Sequence, residues 1–175
     1  MKKTLVLIAA LSGALLCGTS ADAQYANKSL GISVGYTKFS VAQGNLDYGV
    51  PLSLDGSLYI ENGFELDAHF PVMLLKPAGY DQFIGLAPSI GVRYLFMQEA
   101  FRPYAGLDVS FLFFLGNLDF QIGNFYVGPS PNIGFDYFLT EGVSVGLKAQ
   151  FNWYLALNHH PENSLGFMAG VNLWF

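Results

Sequence analysis

Cysteine is nearly missing from this 175-residue chain: the single one, Cys17, sits at the end of an N-terminal apolar stretch. That stretch has the layout of an export signal, with Lys2 and Lys3 ahead of an apolar run from Leu5 to Leu16 and the small-x-small motif Ala21-Asp22-Ala23 before Gln24. Residues 1–23 are therefore expected to be a cleaved signal peptide and residues 24–175 a single domain. Leu16 is too bulky to precede an acylated cysteine, so Cys17 is expected to leave with the signal. What remains has no thiol, which excludes disulfides, thiol catalysis and thiolate metal centres. Long apolar runs are missing too. The one from Leu5 to Leu16, broken by Ser12 and Gly13, falls short of the roughly 20 residues that a spanning helix needs. Charge is also scarce, at 12% of residues. Taking Lys2, Lys3 and Asp22 away from 8 basic and 13 acidic residues leaves six against twelve, a net charge of −6. Such an acidic chain excludes a nucleic-acid partner, which requires a basic patch. No Walker-type loop, dinucleotide fingerprint or H-E-x-x-H segment is present, and no cofactor is expected.

Against these absences stands an apolar content of 52%, far more than a water-soluble surface accommodates at so low a charge. The apolar residues are spread by twos. From Leu30 to Phe39, Leu30, Ile32, Val34 and Tyr36 alternate with Gly31, Ser33, Gly35 and Thr37; from Phe64 to Leu74, the residues between the apolar ones are Glu65, Asp67 and His69. Similar segments run at about 50–60, 83–96, 102–115, 126–138, 143–153 and 165–175, the last carrying Phe167, Ala169, Val171, Leu173 and Phe175 on one face. In the sixth segment Pro129 and Pro131 cannot donate ladder hydrogen bonds, which predicts a bulge or a late strand start. Most of these segments reach the roughly 9–11 residues with which a tilted strand crosses a bilayer. Alternating faces, one for lipid and one for a lumen, predict an all-β fold: an eight-stranded antiparallel up-and-down transmembrane β-barrel, closed by pairing of its first and last strands.

An even strand count puts links at about 61–63, 97–101 and 139–142 on one side and those at 40–49, 75–82, 116–125 and 156–164 on the other. The first, shorter set belongs on the periplasmic side. Phe64, Phe96, Phe101, Tyr137 and Phe175 then form one aromatic girdle, and Tyr36, Phe83, Phe113 and Trp153 the other. The glycines fall on inward strand positions and turns, where they leave lumen space.

The segment Arg102-Pro103-Tyr104-Ala105-Gly106, the run Gly134-Phe135-Asp136-Tyr137 before a turn and the terminal aromatic Phe175 resemble the small outer-membrane β-barrels of the OmpA/OmpX/OmpW type, barrel domain only. The resemblance implies residence in the outer membrane of a Gram-negative cell envelope, contact with its lipids and lipopolysaccharide, and a monomer. It further implies that Val171, Leu173 and Phe175 form the signal by which the outer-membrane assembly machinery takes up the C-terminal strand.

The expected lumen set is Glu65, Asp67, His69, Arg93, Arg102, Asp108, Asp136 and Lys148, with Asp55 beside it. A barrel of eight strands is just wide enough for side chains to fill, so these groups should pair with one another in a plugged polar lumen. The role expected is structural or surface-interactive, without enzymatic activity. Two alternatives stand beside it. The excess of acids could make a small cation-selective path. His159, His160, Glu162 and Ser164 could supply a histidine-activated serine, since the resembled barrels include lipid A deacylases and acyltransferases. Glu65, Asp67 and His69 at spacing two are expected to be a polar strand face and not a metal site.

Overall fold

A computed structural model describes residues 27–40, 46–77, 83–115, 125–155 and 162–175. The expected signal at 1–23, with Cys17, lies outside these residues, as do His159, His160 and the middles of the four longer links. Nine strand segments follow in chain order: β1 (Lys28–Ser40), β2 (Leu46–Glu61), β3 (Phe64–Pro77), β4 (Phe83–Leu86), β5 (Ser89–Leu95), β6 (Phe101–Leu115), β7 (Phe125–Thr140), β8 (Val143–Tyr154) and β9 (Glu162–Trp174). All pairings are antiparallel, and they close into a ring. β9 meets β1 with Leu173 opposite Leu30 and Val171 opposite Ile32, and Lys28 and Phe175 exchange backbone hydrogen bonds of 3.2 and 3.0 Å. No edge is left open within the described strands, as a sheet in hydrocarbon requires.

The ring has eight positions because β4 and β5 share one. Both lie between β3 and β6, where a single segment at 83–96 was expected. The break falls at Ala87 and Pro88, where proline has no N–H to give to the ladder. The neighbours bridge it: Ala87 N donates to Pro71 O and Phe111 N to Pro88 O. In β7 the outcome is the reverse of the expectation. The strand runs unbroken from Phe125, paired in register with β6 through Pro129 and Pro131. Only the β7–β8 ladder opens there, and it resumes at Val127 and Leu155 in the same register that Asn132 and Gln150 hold. Two prolines thus remove donors without inserting a residue.

The tight turns match the expected short links. Asn62 and Gly63 both take positive φ, 53° and 85°, the pair that a two-residue hairpin turn following the sheet twist demands. Glu141 and Gly142 make the last tight turn. On the other side the strands outrun the expected link boundaries: β2 begins at Leu46, β3 reaches Pro77 and β9 begins at Glu162.

Every ring position carries a large apolar side chain on the outside. Ile32, Leu52, Phe70, Ile90, Leu107, Ile133, Leu147 and Phe167 are between 51% and 63% exposed. Burying them against lipid is what this surface is made for. At the tight-turn end Phe64, Phe96, Phe101, Tyr137 and Phe175 are exposed, and at the opposite end Tyr36 and Trp153 are. The expected girdle positions Phe83 and Phe113 fall on β4 and β6.

Candidate functional site

The interior is the candidate site, and its chemistry changes along the strands. From the tight-turn end upward β3 turns Glu65, Asp67, His69, Pro71, Met73 and Leu75 inward. The upper part is therefore apolar: Phe39, Met73, Leu75, Ala87, Leu112, Tyr126 and Tyr154 pack into one buried cluster. This corrects the expectation of a lumen that is polar throughout. The plug has two materials, ionic below and apolar above. Between them Gln150 donates to Ser110 Oγ (3.1 Å) and Asn152 Oδ1 (2.9 Å), and Asn152 donates to Ser164 Oγ (2.9 Å).

The ionic part holds three groups. In the first, Arg93 Nε donates to Glu65 Oε2 at 2.5 Å, while its Nη2 lies 3.3 Å from Asp136 Oδ2. The guanidinium also sits 4.5 Å above the Tyr104 ring, and Asn172 Nδ2 donates to Asp136 Oδ1 at 3.2 Å. In the second, His69 stands between two carboxylates, Nδ1 at 2.8 Å from Asp55 Oδ1 and Nε2 at 3.0 Å from Asp67 Oδ2. Ser53 Oγ holds the same Asp55 oxygen at 2.6 Å. With both acids ionised, the doubly protonated ring donates to each of them. In the third, Lys148 Nζ approaches Asp108 Oδ2 to 3.8 Å, and Asn132 Nδ2 donates to Asp108 Oδ1 at 2.9 Å.

Sheet register explains why these groups meet. Asp67, Gly91 and Asp108 are consecutive partners across β3, β5 and β6. Gly91 has no side chain, and a Cβ there would lie 2.4 Å from Asp108 Oδ1, so glycine is the residue that lets two aspartates face one another across it. His69 and Asp55 are direct partners between β3 and β2.

Of the expected lumen residues, Glu65, Asp67, His69, Arg93, Asp108, Asp136 and Lys148 are brought together. Arg102 departs from expectation. It has no ion pair among the described residues and lies at the tight-turn mouth, 4.0 Å above the Phe138 ring and 5.5 Å from that of Trp174, with Nε donating to Glu99 O at 3.2 Å. Trp174 is itself buried, donating to Ser144 Oγ at 2.8 Å. Its parity with Asn172 and Gly170 was the signal for that place. Glu162 and Ser164, expected in the last long link, belong instead to β9 and are buried in the lumen. Val171, Leu173 and Phe175 point outward and are exposed.

Among the described residues, small cavities interrupt the packing, two of them beside the ionic groups. One of about 40 Å³ is lined by Asp55, Asp67, His69, Arg93, Asp136, Lys148 and their neighbours. The other, about 30 Å³, lies among Ser110, Gln150, Asn152 and Tyr154. His69, Lys148 and Met168 line both.

No family model and no curated protein sequence matches the chain, but solved structures do. Neisserial surface protein A (NspA) matches with a TM-score of 0.70 at 16% identity, over 85% of this chain and 97% of that one. The outer membrane protein OprG from Pseudomonas aeruginosa matches at 0.62 and 15%, over 87% and 97%, and the outer membrane enzyme PagL at 0.50 and 17%, over 81% and 97%. The likeness in fold spans nearly the whole of each barrel, and proteins sharing a fold differ in what they do. The chain has the transmembrane β-barrel fold of the small outer-membrane proteins, as its resemblance to the OmpA/OmpX/OmpW type implies.

Proposed function

We propose that the protein is exported behind a cleaved signal, resides as a monomer in the outer membrane of a Gram-negative envelope in contact with lipid and lipopolysaccharide, and serves there as a structural or surface-interacting barrel with a plugged lumen. The single observation that carries this reading is the inversion of the molecule. Large apolar side chains are exposed at every position of the ring, while Glu65 and Asp108 are wholly buried inside it. A conducting path has to pass both the ion pairs and the apolar cluster of Phe39, Leu75, Leu112 and Tyr154. The non-enzymatic part of the reading is supported by Ser164, whose hydroxyl faces the lumen and is held by Asn152.

Planar-bilayer recording and mass spectrometry of lipid A from cells with and without the protein test this together. Silence in the first and an unchanged lipid A in the second are the expected results. Steady unitary currents would overturn the plugged lumen, and a lost or added acyl chain would make the protein an enzyme. The C-terminal strand is the proposed handle for the assembly machinery. Phe175→Ser should slow insertion into vesicles carrying that machinery more than it lowers the stability of the finished barrel, and unchanged insertion kinetics count against it.

A further inference from the structure

We infer that Asp67, His69 and Asp108 form a site inside the barrel for one divalent transition-metal ion. Their ligand atoms, one from each residue, all lie within 4.8 Å of one another. One imidazole and two carboxylates suit ions such as Zn2+ and Co2+, which take nitrogen and oxygen donors at about 2.0–2.2 Å. An ion at that distance from all three draws the two carboxylates towards His69 Nε2.

Two further observations suit a bound cation. Asp67 Oδ1 and Asp108 Oδ2 are buried and have no hydrogen-bond partner, although buried polar atoms are rarely left so. The surroundings are also those of a metal centre. A metal-bound imidazole usually gives its other N–H to a carboxylate, which fixes ring and tautomer. Here His69 Nδ1 lies 2.8 Å from Asp55, itself held by Ser53. Asp108 is steadied on its other oxygen by Asn132, and Gly91 leaves the space between the aspartates clear.

Lys148 is the competitor. Its ammonium, 3.8 Å from Asp108 Oδ2, donates no hydrogen bond, so it neutralises the site without being fastened to it. Metal binding replaces the Nε2 proton of His69, which leaves to water, and drives the ammonium towards the second cavity that Lys148 already lines. The first cavity, about 40 Å³ in volume, has room beside the ion for a water ligand, which requires only about 10–15 Å³. The site stands on the barrel interior alone and does not depend on the proposed cellular role.

The test refolds the barrel in detergent with Co2+ or Zn2+ and counts bound metal after desalting. The His159→Ala/His160→Ala background is used, because it leaves His69 as the sole histidine of the chain. One ion per barrel and a Co2+ ligand-field absorption band are expected, with Mg2+ unable to compete at equal concentration. Asp108→Asn should weaken binding by about 10- to 100-fold or more. Lys148→Met should strengthen it, because the resident cation is gone; this variant decides the matter if Asp108→Asn does not fold. Absence of stoichiometric metal from both the background and Lys148→Met overturns the assignment, as does equal competition by Mg2+ or a Lys148→Met affinity no higher than that of the background.

Discussion

Arg93 and Leu107 show what a single side chain does on each side of this wall. Arg93 is 6% exposed and faces two acids, Glu65 and Asp136, across the lumen. A buried pair is weak evidence of net stabilisation, but removing one partner strands a charge and costs about 3–5 kcal/mol. Arg93→Leu should therefore lower reversible-folding stability by about that much, and adding Glu65→Gln should restore part of the loss. A single-variant loss below about 1 kcal/mol would mean that the two acids are solvated after all. Arg102 is the contrasting case, since its guanidinium lies on Phe138 at the mouth and is only half-buried. Leu107 points the other way, 54% exposed on the outer face of β6. Its replacement by arginine should cost about 2–4 kcal/mol if the residue lies at mid-membrane. Equal urea-unfolding curves for wild type and Leu107→Arg in lipid vesicles would remove it from the lipid face.

At the scale of the element, β7 is the most informative strand because it carries two prolines within a wall where an unpaired backbone group is costly. In the register resumed at Val127 and Leu155, Pro131 stands opposite Phe151, whose carbonyl receives no N–H from it. Pro131→Val restores that donor, and its side chain stays on the exposed face. The expected gain is about 0.5–1.5 kcal/mol, the worth of one net hydrogen bond, read as a higher urea midpoint and slower amide exchange at residues 150–152. A lower midpoint would show that the open ladder relieves strain. The strands themselves were legible in the sequence because parity is a local property: Ile32, Val34 and Tyr36 can be separated from Gly31, Ser33 and Gly35 by counting. The same count also placed Glu65, Asp67 and His69 on the inner face. What it could not supply was the partner. Pairing His69 with Asp55, and Asp67 with Asp108 across Gly91, depends on inter-strand register, which no single segment contains. The apolar half of the plug was lost for another reason. Met73, Leu75, Leu112 and Tyr154 lie on inward parity, but an apolar residue near the end of an alternating strand looks like more lipid face until the ring is closed.

The whole molecule turns an apolar face outward around its wall and encloses a plug that is ionic near the tight turns and apolar above, and its two tryptophans report the two sides separately. Trp153 is 51% exposed on β8, towards the long-link end. Trp174, on the neighbouring strand and near the tight turns, is 6% exposed and bonded to Ser144 in the interior. If the outer surface is solvated by lipid, bromine atoms on acyl chains meet the first indole and are screened from the second by the sheet. The hydrocarbon core is about 30 Å thick, and amphipathic aromatic rings gather at its interfaces. Trp153 should therefore be quenched most by bromines placed high on the chains, near the headgroups, and less by those at the bilayer centre. Two variants make the measurement clean: Trp174→Phe leaves Trp153 as reporter, and Trp153→Phe leaves Trp174. After insertion into vesicles of brominated lipid, the first should lose much of its emission with this depth dependence. The second should retain nearly all of its emission, both there and with aqueous iodide outside. Equal quenching of the two indoles would mean that lipid reaches the interior, or that the strands do not stand across the bilayer, and the division into an outer face for lipid and a closed, packed interior would fail.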